Sequence, residues 1–298
     1  LTFVMLVMFK GKSMLLYILI LAIFCIALLL SMSWFNYLFQ KNIPSKLNNT
    51  TGSSSVNVLG SEIRYKTHGT GETVVILLHG FGGSLEHWEK IQPMLTGSNS
   101  IALDLVGFGR SDRPLMKYDL ETQRRYLIAF MDKLNIKTAV LVGTSMGGSL
   151  AAWTAAKSKD RVSSLILLAP SGYPGSFTPT KWPLNWLLKP GMINQLSLYI
   201  VNNPIFTSLF PHSLAIQALT ASGSYNTEFS TALENIQQPT LLAMSRGDTA
   251  IDFSYHAKYK EKIPHLEFFE IPKSIGHVVL HQYPIGTANL INNFLNKH

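Results

Sequence analysis

Apolar and polar positions change period several times along the chain, and each change marks an element. Residues 73–78, Thr-Val-Val-Ile-Leu-Leu, form an almost unbroken apolar run rich in β-branched side chains, the pattern of a strand covered on both faces. Similar runs recur at 100–103, 138–142, 164–168, 240–244 and 266–271. Ahead of them, 56–58 and 63–66 alternate around Gly60 and predict an antiparallel pair at a sheet edge. Between the strands the pattern turns helical over 85–95, 120–134, 146–158, 253–262 and 282–296. Strands alternating with helices predict an α/β fold, a mostly parallel sheet with helices on both faces.

One stretch breaks the alternation. Residues 171–238, after the sixth strand, carry no strand signal, several prolines, and the aromatics Tyr173, Phe177, Trp182, Trp186, Tyr199, Phe206 and Phe210. An insertion there emerges at the C-terminal edge of the sheet, where open α/β sheets bind ligands. It reads as a mainly helical cap. Trp88, Tyr173, Trp182 and Trp186 are the residues expected to bind substrate, although apolar aromatics also serve as plain core.

The front of the chain is different. Residues 14–32 contain no charge, and at ~1.5 Å per residue a helix of that length nearly spans a hydrocarbon core of about 30 Å. Trp34 and Tyr37 follow at the expected interface, and Lys10 and Lys12 precede it. The run exceeds the roughly 7–15 apolar residues of a signal peptide, and no small-x-small cleavage site follows, so a retained anchor is expected. Cys25 follows Ile23-Phe24, which does not suit lipoprotein processing. The expected organisation is a cytoplasmic N-terminus at 1–12, a transmembrane signal-anchor at 13–37, a polar flexible linker at 38–55 and a folded domain at 56–298. Lys41 and Lys46 weaken the charge asymmetry; the expected orientation puts the domain on the extracytoplasmic (periplasmic) side.

The chain has 298 residues and a formal net charge of +8, a size that suits one domain of about 250 residues plus the N-terminal segment. The basic excess has no arginine-rich block with interleaved aromatics, so no nucleic-acid partner is expected. It could favour an anionic membrane surface, and equally suits an ordinary solvated surface. Cys25 is the single cysteine, which excludes an intramolecular disulfide and a cysteine metal site. No metal or cofactor is implied.

The chemistry centres on Gly143-Thr144-Ser145-Met146-Gly147, a Gly-x-Ser-x-Gly between the strand at 138–142 and the helix at 146–158. In that context the serine is expected on a sharp turn that lifts its hydroxyl above the sheet at a helix N-terminus, with the glycines relieving steric conflict. A serine hydroxyl needs a base, and the base needs an orienting carboxylate. Asp248, on the loop after 240–244, is the expected acid, with Asp252 as its rival. His277, after 266–271 and behind Gly276, is the expected base, ahead of His256, His265 and His281. Oxyanion donors are expected from the backbone N–H of Met146 and of Phe81 in the loop His79-Gly80-Phe81-Gly82-Gly83.

These segments, together with Asp104-Leu105-Val106-Gly107-Phe108-Gly109-Arg110-Ser111-Asp112, resemble α/β-hydrolases in kind and order over about 58–297. The resemblance implies the α/β-hydrolase fold and a Ser145, Asp248, His277 triad, and it makes Asp104 part of a structural turn. The segment 104–112 is also similar to epoxide hydrolases and haloalkane dehalogenases, but those use aspartate where this chain has Ser145. The chain looks most like membrane-anchored bacterial lipases or esterases, with an apolar ester as substrate. Two other readings stand beside it. A carbon–carbon bond hydrolase of ring-fission products would want a pocket cation, for which Arg246 and Lys181 are available. A non-catalytic binding domain would use the fold alone. Ser245 departs from the family's acidic loop, which commonly has glycine there.

Overall fold

The computed structural model describes residues 52–114, 116, 118–173, 176 and 227–298. The chain divides into two units, Leu1–Pro44 and Ser45–His298, and the described residues all belong to the second. The expected anchor at 13–37 and almost all of the linker at 38–55 therefore lie outside the described residues, as does most of the cap at 171–238. Among the described residues no helix is long and apolar enough to cross a membrane.

Eight strands form one sheet: β1 (Ser54–Val58), β2 (Ser61–His68), β3 (Thr73–Leu78), β4 (Ser98–Leu103), β5 (Ala139–Thr144), β6 (Val162–Leu168), β7 (Thr240–Ser245) and β8 (Leu266–Ile271). Their spatial order is β1-β2-β4-β3-β5-β6-β7-β8. β2 pairs antiparallel with both β1 and β4, and every pair from β4 to β8 is parallel. Among the described residues the helices are α1 (Leu120–Lys133), α2 (Met146–Lys157), α3 (Thr227–Ala232), α4 (Tyr255–Lys262), α5 (Val279–Gln282) and α6 (Pro284–Lys297).

Strand alternation sends neighbouring side chains to opposite faces, and each face has its own helices. Ile76, Leu78 and Leu141 pack with Leu127 and Phe130 of α1, Leu150 of α2 and Tyr259 of α4. Val75, Leu77, Val140 and Val142 pack with Ile291 and Phe294 of α6. Full burial of such a side chain contributes roughly 1.5–3 kcal/mol, so this double-sided cover is what keeps the central strands together.

Two expected helices differ from their patterns. The stretch 85–95 folds as two 3₁₀ turns, Leu85–Trp88 and Gln92–Met94, because Pro93 has no N–H to continue an α ladder. The last helix is broken at Tyr283, which leaves helical geometry (φ −138°, ψ 49°) ahead of Pro284.

Candidate active site

β5 runs straight into Ser145, which has φ 51° and ψ −118°, a backbone conformation that L residues avoid at a cost of about 1–3 kcal/mol. The surroundings hold it there. Ser145 N–H donates to Leu168 C=O (2.9 Å), and Ser145 C=O accepts from the N–H groups of Ser149 (3.1 Å) and Ser171 (3.2 Å). The glycines are required by contact. A Cβ on Gly143 would lie 2.2 Å from the Gly147 carbonyl oxygen, and one on Gly147 would lie 2.3 Å from that of Leu78. The result is a hydroxyl raised at the start of α2, where helix N–H groups favour negative charge.

The structure brings three distant side chains together at that hydroxyl. His277 Nε2 lies 3.0 Å from Ser145 Oγ, and His277 Nδ1 lies 2.8 Å from Asp248 Oδ2. Asp248 Oδ1 accepts the N–H groups of Ala250 (2.8 Å) and Ile251 (2.9 Å), so the carboxylate can turn neither way. Its side chain is 1% exposed and that of His277 is 26% exposed. A carboxylate cannot donate, so Nδ1 carries the proton and the lone pair of Nε2 faces the serine. Asp252 is engaged elsewhere: its carboxylate accepts Ser254 N–H (2.8 Å). Of the rival histidines, His281 sits edge-on to His87 at 5.0 Å, and His256 stacks on Phe268 at 4.7 Å.

The loop after β3 closes over the nucleophile. A Cβ on Gly80 would be 3.2 Å from Ser145 Cβ and 3.8 Å from Oγ, so the backbone there lies against the serine. Phe81 N–H follows directly, and Met146 N–H opens α2 on the other side of Ser145. The Phe81 side chain is 46% exposed and meets Phe108 edge-on at 5.7 Å; Val278, next to His277, is 51% exposed. These two give the residues flanking the triad an apolar character that was not read from the sequence.

Of the four expected substrate-binding aromatics, Trp88 and Tyr173 are described, and they pack against different core clusters. Trp88 is 0% exposed and packs into the core face built on Val75 and Leu77; this corrects the expectation that it lines a pocket. Its position in a short turn after the oxyanion loop points it into the sheet. Tyr173 packs edge-on against Tyr255 and Tyr259, and its hydroxyl accepts from Ser230 Oγ (3.0 Å). Trp182 and Trp186 lie outside the described residues. Arg246 is bound to Glu270 (2.8 Å) and lies 4.3 Å over Phe253. Among the described residues no group of three His, Cys, Asp or Glu side chains could hold a metal ion.

Ser245 turns out to link the acid and base loops. Its Oγ lies 2.6 Å from Ile275 C=O, to which it donates, and accepts Gly247 N–H (3.0 Å). The glycine common at this position could not do this. Only the departure from the family pattern marked it in the sequence.

One buried and one half-buried histidine, His79 and His87, give the region a pH signature. Burial pushes the pKa of His79 down, against the pull of its hydrogen bond to Gly80 C=O. Burial also lowers His87, helped by the charge of His281. The unfolded chain titrates these groups near 6.5. Below that pH it binds protons that the native state excludes, so stability is full above about 6.5 and falls as pH drops toward the native pKa values. Thermal midpoints recorded from pH 8 down to 5 should decline below about 6.5, and His87→Gln should make the decline shallower.

Residues 73–209 match the model of the family described as the alpha/beta hydrolase fold. A curated relative, the dihydrolipoyllysine-residue acetyltransferase component of the acetoin cleaving system of Cupriavidus necator, is 37% identical over 118 residues, 39% of this chain and 32% of that protein. The match thus spans about a third of the relative's length. The 2-hydroxy-6-oxo-6-(2′-aminophenyl)hexa-2,4-dienoic acid hydrolase of Metapseudomonas resinovorans is 25% identical over 266 residues, 81% of this chain and 90% of the relative. Among solved structures, a bacterial membrane phospholipase A shares the fold with a TM-score of 0.63 at 24% identity, covering 97% of this chain and 99% of that one.

Proposed function

We propose that this chain, whose residues 73–209 match the alpha/beta hydrolase fold family, is a serine ester hydrolase of the lipase or carboxylesterase type. The hydrogen-bonded line from Asp248 through His277 to Ser145, 2.8 and 3.0 Å long, carries the reading. Ser145 Oγ attacks the ester carbonyl while His277 Nε2 takes its proton, and Asp248 stabilises the imidazolium that forms. The carbonyl oxygen becomes an anion facing the N–H groups of Phe81 and Met146. Collapse breaks the bond to the alcohol, which leaves with the proton held by His277. Water then attacks the acyl-enzyme through the same base, and the acid departs. The exposed apolar side chains of Phe81 and Val278 support an apolar acyl group. The uncharged run at 14–32 supports anchoring of this domain to a membrane, and Lys10 and Lys12 ahead of it support placing the domain on the extracytoplasmic side.

A second reading, cleavage of a carbon–carbon bond in a dienoic acid, draws on the Metapseudomonas relative. Such a substrate carries a carboxylate and wants a fixed cation, and Arg246 is already committed to Glu270. The test is a fluorophosphonate label on the intact protein, followed by p-nitrophenyl esters of increasing chain length and one such dienoic acid in parallel. Labelling, with turnover that rises with acyl length, is expected. Turnover of the dienoic acid alone would establish the second reading, and a folded protein that resists the label would point to a binding domain.

A further inference from the structure

The loop that carries Phe81 N–H is clamped at both ends by two consecutive residues just past β4. At its start, Leu105 N–H donates to His79 Nε2 (3.1 Å), and the same ring donates from Nδ1 to Gly80 C=O (2.7 Å). At its finish, Leu85 N–H donates to Asp104 Oδ1 (2.7 Å). Asp104 is completely buried, and its second oxygen accepts from Arg110 N–H (2.8 Å) and Arg64 Nη1 (3.2 Å). Arg64 also reaches Glu86 (2.7 Å), the residue after Leu85. The carboxylate has no room to drift, since a Cβ on Gly109 would already lie 2.3–2.5 Å from it. Holding the turn at 104–112 accounts for the bond to Arg110. It does not account for a buried carboxylate that also reaches across to Leu85.

We propose that Asp104 is a positioning residue of the active site, fixing the far end of the oxyanion loop so that Phe81 N–H points at the developing negative charge. The proposal rests on the serine-hydrolase reading above. Oxyanion donors act only when aimed beforehand, and an error of about 1 Å can cost on the order of 10²-fold in rate. A charge-assisted bond in a dry site is suited to setting that aim.

The experiment is steady-state kinetics on a p-nitrophenyl ester with the intact protein, Asp104→Asn and Leu85→Pro. In the first variant the amide must turn a donor toward either Leu85 N–H or the Arg110 and Arg64 donors. In the second, proline deletes the Leu85 N–H alone. Leu85 opens a 3₁₀ turn, where that N–H has no partner in the turn, and Ser84 before it is extended (φ −156°, ψ 175°), so proline fits. Leu85→Ala keeps the N–H and is the reference for the lost side chain. In both test variants kcat should fall between about tenfold and 100-fold, short of the 10²–10³-fold cost of losing a donor outright. KM should stay within about twofold, and the acid limb of the pH–kcat profile should not move. A kcat for Leu85→Pro equal to that of Leu85→Ala would overturn the proposal, as would a loss confined to KM or a shifted acid limb. If Asp104→Asn does not fold, Leu85→Pro decides alone. An intact protein that neither takes the label nor cleaves esters sinks the serine-hydrolase reading and this proposal with it; an active one indifferent to both variants sinks only the role of Asp104.

Discussion

Ser145→Ala should remove ester hydrolysis almost entirely, with kcat falling by about a millionfold, while the protein stays folded. The size follows from the role. No other hydroxyl lies within hydrogen-bonding distance of His277 Nε2 among the described residues, so nothing there can form the acyl-enzyme in its place. The loss of a nucleophile in a serine triad is about as large as the loss of the whole triad, roughly 2 × 10⁶ in kcat. What survives is the rate that oxyanion donors and binding give to water attack. The fold should tolerate the change because the strain at φ 51° belongs to the backbone, and alanine is no worse there than serine. The bonds that hold the turn run through the N–H and C=O of residue 145, which alanine keeps. Stopped assays on a short p-nitrophenyl ester, beside circular dichroism and a thermal scan, check both halves. Full activity in this variant would end the assignment of Ser145.

The parts legible in the sequence are those governed by period and order. The strands 73–78 and 266–271 fall where the pattern places them, and Pro272, which has no N–H to donate to the ladder, follows the second. The strand expected at 138–142 runs on to Thr144, since Gly143 has little strand propensity of its own and is held extended by its pairing with Leu78 and Leu167. Ser145 and His277 could be picked out because chain order and the strand-to-helix turn constrain them. Asp248 is the acid expected from the sequence, but pattern alone leaves Asp252 as a rival. Both lie on one loop four residues apart, and what separates them is which carboxylate meets His277 Nδ1, which is that of Asp248 at 2.8 Å. Trp88 was misread for a similar reason. It follows the loop at 79–83 closely in the chain, but only the sheet shows that its ring turns into the core. The hydroxyl of Ser245 acts through a carbonyl thirty residues away, a partner no local pattern reveals.

Asp248→Asn should be severe, though milder than loss of the nucleophile or of the base, and it separates the two aspartates sharply. The carboxamide matches the carboxylate in shape, so Ala250 and Ile251 N–H can still be satisfied by its oxygen. Its nitrogen then faces His277 Nδ1 at the present 2.8 Å separation. Two donors cannot share that contact, so the imidazole moves its proton to Nε2, where it points at Ser145 and can no longer accept. A wrong tautomer of this kind costs about 10⁴ in kcat with the geometry intact. Asp252→Asn, by contrast, leaves His277 untouched and keeps an oxygen for Ser254 N–H, so kcat should change by less than about threefold. Kinetics between pH 6 and 10 sharpen the comparison. Part of the loss in Asp248→Asn should return at high pH, where hydroxide can take the place of the missing base, and Asp252→Asn should follow the intact protein throughout. Equal losses in the two variants would mean that the acid was assigned to the wrong side chain.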